Sequence, residues 1–473
     1  MNEKLTRWVF YFCAISVVVT LVFFILYKAE WLIGDDAIII KQTAWGHRID
    51  PANTVWPSSG RFFPLAYIVF NVIWLFGLTS VNAHFILVAL FFISSSILIM
   101  ILGSKSIFGE NFILRYITVF AYLMICIQRI YSNYLDLYST FWFDYFLVIL
   151  FGVCCCYVHS KQSFVYSLLG FCSVTILCYC IEVGFIIPII YGSAGLLFSW
   201  RKISKIEKMY LWSLVGTALV FLIIYFVKIF PYIETAYSGD HGENLSFVEN
   251  ALKQLMAQKV LLLGLIIFCV RFYRICYRKE EYEFWDSIIL AGFGYCLGCA
   301  VLKLNWVLYY SLASIFILPA IANYLVKYIG NKWAAIVLVC LAVFMCRKMP
   351  QVVKDNQQAR INTSTLMNII SQEYSDGKTF YYYEPSDNRP WCFDLEFRQF
   401  IKSSLQTQIG WQVKNEDFKF VSAESFSGLH GIYILPIEND KLFPGKNDSI
   451  ASRGHIIWSI NEDTRLITVV DIE

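Results

Sequence analysis

The sequence predicts an all-α polytopic membrane protein of about eleven transmembrane helices, followed by a small α/β domain. Three observations predict it. The chain of 473 residues is 58% hydrophobic and only 15% charged, against about half and about a quarter in soluble domains. Apolar windows of membrane length, about 20 residues for a hydrocarbon core of roughly 30 Å, recur from residue 8 to residue 348. Past Met349 they stop, and the remaining sequence is polar. The net charge of +3 is too small to point to nucleic acid.

The expected spans are 8–27, 84–103, 112–128, 138–159, 164–180, 183–199, 208–230, 258–276, 285–302, 306–328 and 332–348. Lys4 and Arg7 precede the first, which is full-length and followed by no small-residue cleavage site, so it reads as an uncleaved helix. One more run, Phe62 to Gly77, is short and carries Pro64 and Asn71. Loop charge decides it, since Lys and Arg gather on the cytoplasmic side. If the run does not span, the loops with Lys105 and Arg115, Lys161, Arg201 to Lys208, Arg271 to Lys279, and Lys327 and Lys332 all join Lys4 and Arg7. If it spans, those clusters land outside. The first arrangement puts the N-terminus in the cytoplasm and the C-terminus on the exported side.

The division expected from composition is 1–348 for the membrane domain, with 28–83 as its first external loop, and 349–473 for an extracytoplasmic α/β domain. That second part opens with a helix-like stretch, Gln351 to Tyr374, closed by Asp376-Gly377. Short β-type runs follow at Thr379–Tyr383, Gly431–Ile437, His455–Ile460 and Leu466–Ile472, with a helix near Asp394–Leu405. It contains no phosphate loop, no GxSxG and no metal-ligand spacing, and reads as a structural or acceptor-docking cap. The 15 cysteines lie mostly in apolar windows, where they behave as small hydrophobes, and six histidines do not make a metal centre.

This topology collects the acidic, aromatic and amide residues on the exported face. The stretch WLIGDDAIII places Asp35 and Asp36 just past the first helix. Acids beside a bilayer are costly unless solvated, paired or used, and helix-end solvation is the plain alternative to a chemical role. An aromatic loop with Trp45, His47, Arg48 and Trp56 follows, then SSGRFFPL with Arg61. The same face receives Arg129 and Asp136, Glu182 in CYCIEVGF, Asp240 and His241 in YSGDHGEN, and Lys303, Asn305, Tyr309 and Tyr310 in LKLNWVLYY. Each has an ordinary counterpart: Lys303 can snorkel, Arg61 can anchor the interface, and Glu182 can break a helical hairpin. Asp144, in FWFDYF, faces a cavity or a neighbouring helix.

The layout resembles the GT-C superfamily of membrane glycosyltransferases, which use polyprenyl-phosphate sugars. The residues that carry the resemblance are GDDAIII in the first external loop and the juxtamembrane GRFFPLAYIVFNVIWLFGLTSVNAH. A basic cytoplasmic turn, GSKSIFGENFILR, comes next, then the external QRIYSNYLDLYSTFWF and the late LKLNWVLYYSLASIFILP. In architecture, the exported C-terminal domain is similar to that of the O-antigen serotype-converting glucosyltransferases. The resemblance implies transfer of a hexose, glucose in that subgroup, from a polyprenyl-phosphate donor to a cell-surface glycan such as lipopolysaccharide O-antigen. It implies a bacterial inner-membrane location with the C-terminal domain in the periplasm.

Such a transfer needs a base for the acceptor hydroxyl and a cradle for the departing phosphate. Asp35 or Asp36 is the expected base, and repulsion between adjacent carboxylates makes one of them the more basic. Lys303, Arg61 and Arg129 are the expected phosphate-binding groups, with Arg48 a further cation. Asp136, Glu182, His241, Asn305, Tyr309 and Tyr310 are the expected substrate contacts. No protein metal site is expected, and a divalent cation is compatible with the sequence without being required. An O-antigen polymerase or ligase is the closest alternative, expected to lean on a large Arg- or His-rich external loop. A secondary transporter would show internal repeats and broken helices at the midplane, and no repeat is visible.

Overall fold

Helix α1 (Glu3–Leu26) and nine later apolar helices fall on the eleven windows expected to span, the last of them covering two windows. The structure is a computed structural model that describes residues 3–31, 54–78, 80–106, 111–132, 139–181, 183–234, 246–302, 304, 307–384, 401–406, 418–422, 430–438, 455–462 and 465–472. After α1 come the paired strands β1 (Val55–Trp56) and β2 (Arg61–Phe62), the short α2 (Ile68–Leu75), then α3 (Val81–Ser106), α4 (Phe112–Ser132), α5 (Ser139–Lys161), α6 (Phe164–Cys180) and α7 (Ile186–Ser199). The order continues with α8 (Lys205–Lys228), α9 (Phe247–Ala257), α10 (Lys259–Cys276), α11 (Phe284–Val301), α12 (Val307–Cys346) and α13 (Met349–Ser375).

Seven described helices have the length and hydropathy to cross a membrane, and α9 with α10 makes an eighth if that bent pair is one span. The chain is a multi-pass membrane protein. Helix α2 is eight residues long, about 12 Å at 1.5 Å per residue, so the ambiguous run 62–77 does not cross. Helix α12 is two helices in one, divided at Gly330, where φ is 77° and ψ 163°. Only glycine takes that backbone without strain, and it falls between the two windows expected at 306–328 and 332–348. One expectation is corrected here. The stretch Pro231–Gln258, between the windows 208–230 and 258–276, is by those windows an external loop, yet its last part folds as α9 (Phe247–Ala257). Ser246 and Glu249 form a capping box there, satisfying each other's backbone N–H groups.

The chain divides into two compact units, Met1–Leu26 with Asp50–Gly77 and His84–Val352, and Tyr27–Ile49 with Leu78–Ala83 and Val353–Glu473. In the first, α4 packs on α12, α5 on α6, and α7 on both α8 and α11. The α7–α11 approach is close because Gly294 and Gly298 stand one turn apart on α11. A Cβ at Gly294 would lie 2.0 Å from Cδ1 of Ile190, and one at Gly298 2.1 Å from Cδ1 of Ile186. This is the small-xxx-small packing of helices in lipid, where close contact replaces the hydrophobic drive.

One end of this unit is closed by ion pairs. Arg271, 2% exposed at its side chain, donates Nε and Nη2 to the two oxygens of Asp286 at 2.8 and 2.6 Å. Its Nη1 reaches Glu280 at 2.8 Å and the Tyr328 hydroxyl at 3.0 Å. The Tyr324 hydroxyl adds a bond to Asp286 at 2.6 Å, and Lys327 pairs with Glu283. Hydrogen bonding from Arg274 holds the Glu280 carboxyl below its usual range. A buried charge is tolerable only when paired and fully hydrogen-bonded in this way.

The second unit carries a mixed five-stranded sheet of β3 (Phe380–Glu384), β4 (Phe418–Ser422), β5 (Gly431–Glu438), β6 (His455–Glu462) and β7 (Arg465–Ile472). Its spatial order is β4-β3-β5-β7-β6, with β3 parallel to β4 and β5 and the other pairings antiparallel. Four of these strands are the runs expected from the sequence; β4 is an addition. Residues 401–406 are helical, overlapping the end of the helix expected near Asp394–Leu405. Lys378, just past α13, bonds Glu373 at 2.9 Å and also Asp471 on β7, joining helix to sheet.

The α7–α11 seam is testable. Gly298→Leu is expected to cost about 1–3 kcal/mol by overpacking and to lower the thermal unfolding midpoint in detergent. Gly298→Ala, which asks only for a turn of the Ile186 side chain, is expected to retain most of the wild-type midpoint.

Candidate active site

The other end of the first unit is built differently, from backbone turns, amides and tyrosines. The β1–β2 hairpin turns at Gly60, whose φ of 74° suits glycine. It is docked on two helix ends. The Tyr225 hydroxyl near the end of α8 donates to the Gly60 carbonyl at 3.0 Å, and the Glu234 N–H to the Ser58 carbonyl at 2.9 Å. The Leu65 N–H donates to the Tyr179 carbonyl at 2.9 Å, and the Cys180 thiol returns a bond to the Leu65 carbonyl at 3.4 Å. Arg61 lies with its guanidinium 4.7 Å from the Trp56 ring centroid and 4.8 Å from that of Phe63. Such cation–π contacts fix the plane of the group at a wet, aromatic boundary.

The first turns of α5 belong to the same end. Asp144, 4% exposed, is an electrostatic neighbour of Cys180. The Tyr145 hydroxyl donates to the Leu308 carbonyl at 3.2 Å, and the Phe141 ring meets Tyr309 edge-on at 5.6 Å. Arg129, 8% exposed in the last turn of α4, is an electrostatic neighbour of Tyr145. A cation at a helix C-terminus is favoured by the macrodipole, which offsets part of the cost of burying it.

Helix α9 completes this end with an inverted pattern. Asn250 and Gln254 face inward and are buried, while Val248, Leu252 and Met256 are exposed. A polar-in, apolar-out helix fits lipid surroundings, where inward is the only place for an amide to find a partner. The chain then bends by 105° into α10. Gln258, at the bend, donates to the Val307 carbonyl at 2.8 Å and Ser311 at 3.0 Å, and accepts from Ser314 at 2.7 Å. Asn250 donates to the Leu304 carbonyl and the Tyr310 hydroxyl, both at 3.4 Å. Arg61, Arg129, Asp144, Tyr309 and Tyr310 therefore share one end of the bundle.

No family model and no curated protein matches the chain. Among solved structures, it is similar to ArnT from Cupriavidus metallidurans in the apo state, with 11% identity, 98% of each chain covered and a TM-score of 0.48. It is also similar to the oligosaccharyltransferase of Archaeoglobus fulgidus, in its complex with zinc and sulfate and in its apo form. Those matches have 12% identity, cover 83% of this chain, and have TM-scores of 0.42 and 0.44. The chain spans 61% and 64% of those two oligosaccharyltransferase chains. At these values the likenesses carry nothing into the functional reading.

Of the site residues expected from the sequence, Asp35, Asp36, Asp136, Glu182, His241, Lys303 and Asn305 lie outside the described residues, as do Arg48 and Asp240. The four that are described, Arg61, Arg129, Tyr309 and Tyr310, fall at the same end. Asn250, Gln254 and Gln258 were not among those expected. Their spacing of four, in NALKQLMAQ, and the preceding SFVE capping signal mark a helix with a polar stripe. Among the described residues, no group of three or more His, Cys, Asp or Glu stands close enough to hold a metal ion.

In the second unit, a small knot fastens the chain just past α1. Arg360 of α13, 1% exposed, donates Nη1 to the Tyr27 carbonyl at 2.9 Å. The Glu30 carboxylate accepts the Trp31 N–H at 3.0 Å and lies in the field of Arg360. Burial lifts the Glu30 carboxyl above its ordinary 4.5, against the opposing pull of the Trp31 N–H and Arg360. A raised folded-state value favours the protonated form, so this group's contribution is full below the ordinary value and is lost as pH rises through the raised one. Thermal midpoints in detergent are therefore expected to show a fall beginning just above pH 4.5 in the wild type. Glu30→Gln, which keeps an acceptor for Trp31, is expected to flatten that component.

Proposed function

We propose that this chain is an integral membrane glycosyltransferase of the GT-C kind, moving a sugar from a polyprenyl-phosphate donor to a glycan acceptor outside the cytoplasm. The single observation that carries this reading is the gathering of Arg61, Arg129, Asp144, Tyr309 and Tyr310 at one end of the bundle, away from the ion-paired Arg271 end. The same end receives the loops that the sequence assigns to the exported face. A hexose, with glucose and O-antigen of lipopolysaccharide as the first donor sugar and acceptor to try, completes the proposal. The membrane in question is a bacterial inner membrane.

The chemistry follows from these residues. The acceptor hydroxyl gives its proton to the carboxylate of Asp35 or Asp36 as its oxygen bonds to the anomeric carbon. The bond between that carbon and the phosphate oxygen breaks, and the polyprenyl phosphate departs with the bonding pair. Its new negative charge needs donors. Arg129, held by a helix end beside Tyr145, is a fixed fork suited to two phosphate oxygens, and Lys303 and Arg61 are the further cations of this role. The Tyr309 and Tyr310 side chains, with Asp136, Glu182, His241 and Asn305, are assigned to the sugar and acceptor.

The test is sugar transfer in membranes from polyprenyl-phosphate donors, with Asp35 and Asp36 replaced singly by Asn. Loss of the base is expected to lower turnover by about 100- to 10,000-fold in one variant, with a smaller loss in the other. Wild-type turnover in both variants would remove the catalytic assignment.

A further inference from the structure

A buried arginine is an expensive way to pack a helix. Guanidinium stays charged in proteins, and its desolvation is repaid only by specific partners. Arg360 is nevertheless among the largest fully buried side chains of the described residues. Two of its partners lie more than three hundred residues away along the chain: the Tyr27 carbonyl at 2.9 Å and, electrostatically, Glu30. Glu30 in turn holds the Trp31 N–H. The buried residues one turn away on α13 are Asn356 and Thr363, and leucine or methionine would fill position 360 without burying a charge. What the arginine adds is a grip on the backbone of residues 27–31. That stretch ends four residues before Asp35.

We propose that Arg360 is a positioning residue: from α13 it fixes residues 27–31, the root of the segment that carries Asp35 and Asp36. Glu30 is the second half of the device. Its carboxylate answers the Arg360 charge and holds the Trp31 N–H, so residues 27–31 are held together from both sides. This rests on the reading of the Asp pair as the base, and gives the C-terminal domain a part in catalysis without contact with substrate.

Two measurements on the full-length protein separate this inference from that reading. Hydrogen exchange of peptides containing residues 27–31 reports the tether whatever the reaction is. Arg360→Met is expected to speed exchange there by about ten- to a hundredfold, what a hydrogen bond to a charged group is worth. Unchanged exchange would overturn the proposal. In the transfer assay, Arg360→Met is expected to lower kcat by about tenfold or more with KM for the lipid donor within about threefold, since the stretch it holds adjoins the proposed base in sequence and none of the proposed phosphate-binding cations. Arg360→Lys is expected to restore part of kcat, and Glu30→Gln to show the same kcat-directed loss to a smaller degree. Faster exchange with wild-type kcat would make the tether merely structural and would also overturn the proposal. A wild type that transfers no sugar would sink the function while leaving the exchange result to judge the tether. If Arg360→Met does not fold, Arg360→Lys and Glu30→Gln carry both measurements, and wild-type exchange and kcat in both would overturn the proposal.

Discussion

Inside a hydrocarbon layer a polar group has only protein to bind, and this constraint shapes both ends of the bundle. At one end it is met by closure. Arg271 spends its donors on Asp286, Glu280, Tyr328 and the Glu281 carbonyl, and Tyr324 and Lys327 complete the network. At the other end it is met by amides and hydroxyls set against backbone carbonyls: Gln258 on Val307, Tyr145 on Leu308, Tyr225 on Gly60. The first arrangement is self-contained. The second presents Arg129, Asp144 and two tyrosines beside it.

The two ends also differ in what they ask of the surrounding helices. The ion-paired end locks α10, α11 and α12 together through charges that would be ruinous if separated. The opposite end gathers short, irregular pieces, the hairpin at 55–62, the eight-residue α2 and the bent α9, onto ends of longer helices. Non-helical backbone at that level is tolerated where protein supplies its hydrogen bonds, and the Leu65–Tyr179 and Ser58–Glu234 bonds do so. A rigid scaffold carrying irregular loops at one end is how reactive groups are commonly presented.

Much of this was legible in the sequence. Apolar length gave each of the seven described helices that are long and apolar enough to cross a membrane, because in lipid the helix satisfies its own backbone and leaves hydropathy as the dominant signal. The break at Gly330 was visible as the interval between two windows, and four strands as β-branched and aromatic runs. Other elements were hidden for physical reasons. Strand β4, FKFVS, is five residues at a sheet edge and too short to stand out from its polar flanks. Helix α9 looks like a loop by hydropathy because its polar stripe faces inward, so only its period and its cap betray it. The Arg271–Asp286 pair joins residues of two helices, and no local pattern announces it. Nor does any local pattern join Arg360 to Tyr27, since spatial closeness across such a separation is decided by the whole fold.

Among the site residues, the sequence was able to name charges and to give each an expected side, because charge asymmetry between loops is a one-dimensional quantity. It was not able to say which would meet. Arg61 and Arg129 illustrate the difference: both are single cations beside apolar runs, yet one lies against two aromatic rings and the other is buried at a helix end beside Tyr145. The central claim is that the Arg271 end faces the cytoplasm and the Tyr309 end the exterior. It is tested most directly by thiol labelling of intact cells with a membrane-impermeant maleimide, in a protein whose exposed native cysteines are replaced by Ser. With single cysteines introduced as Glu234→Cys and Lys279→Cys, the account predicts that only the first is labelled until the membrane is permeabilised. Labelling of the second in intact cells, with the first protected, would contradict it.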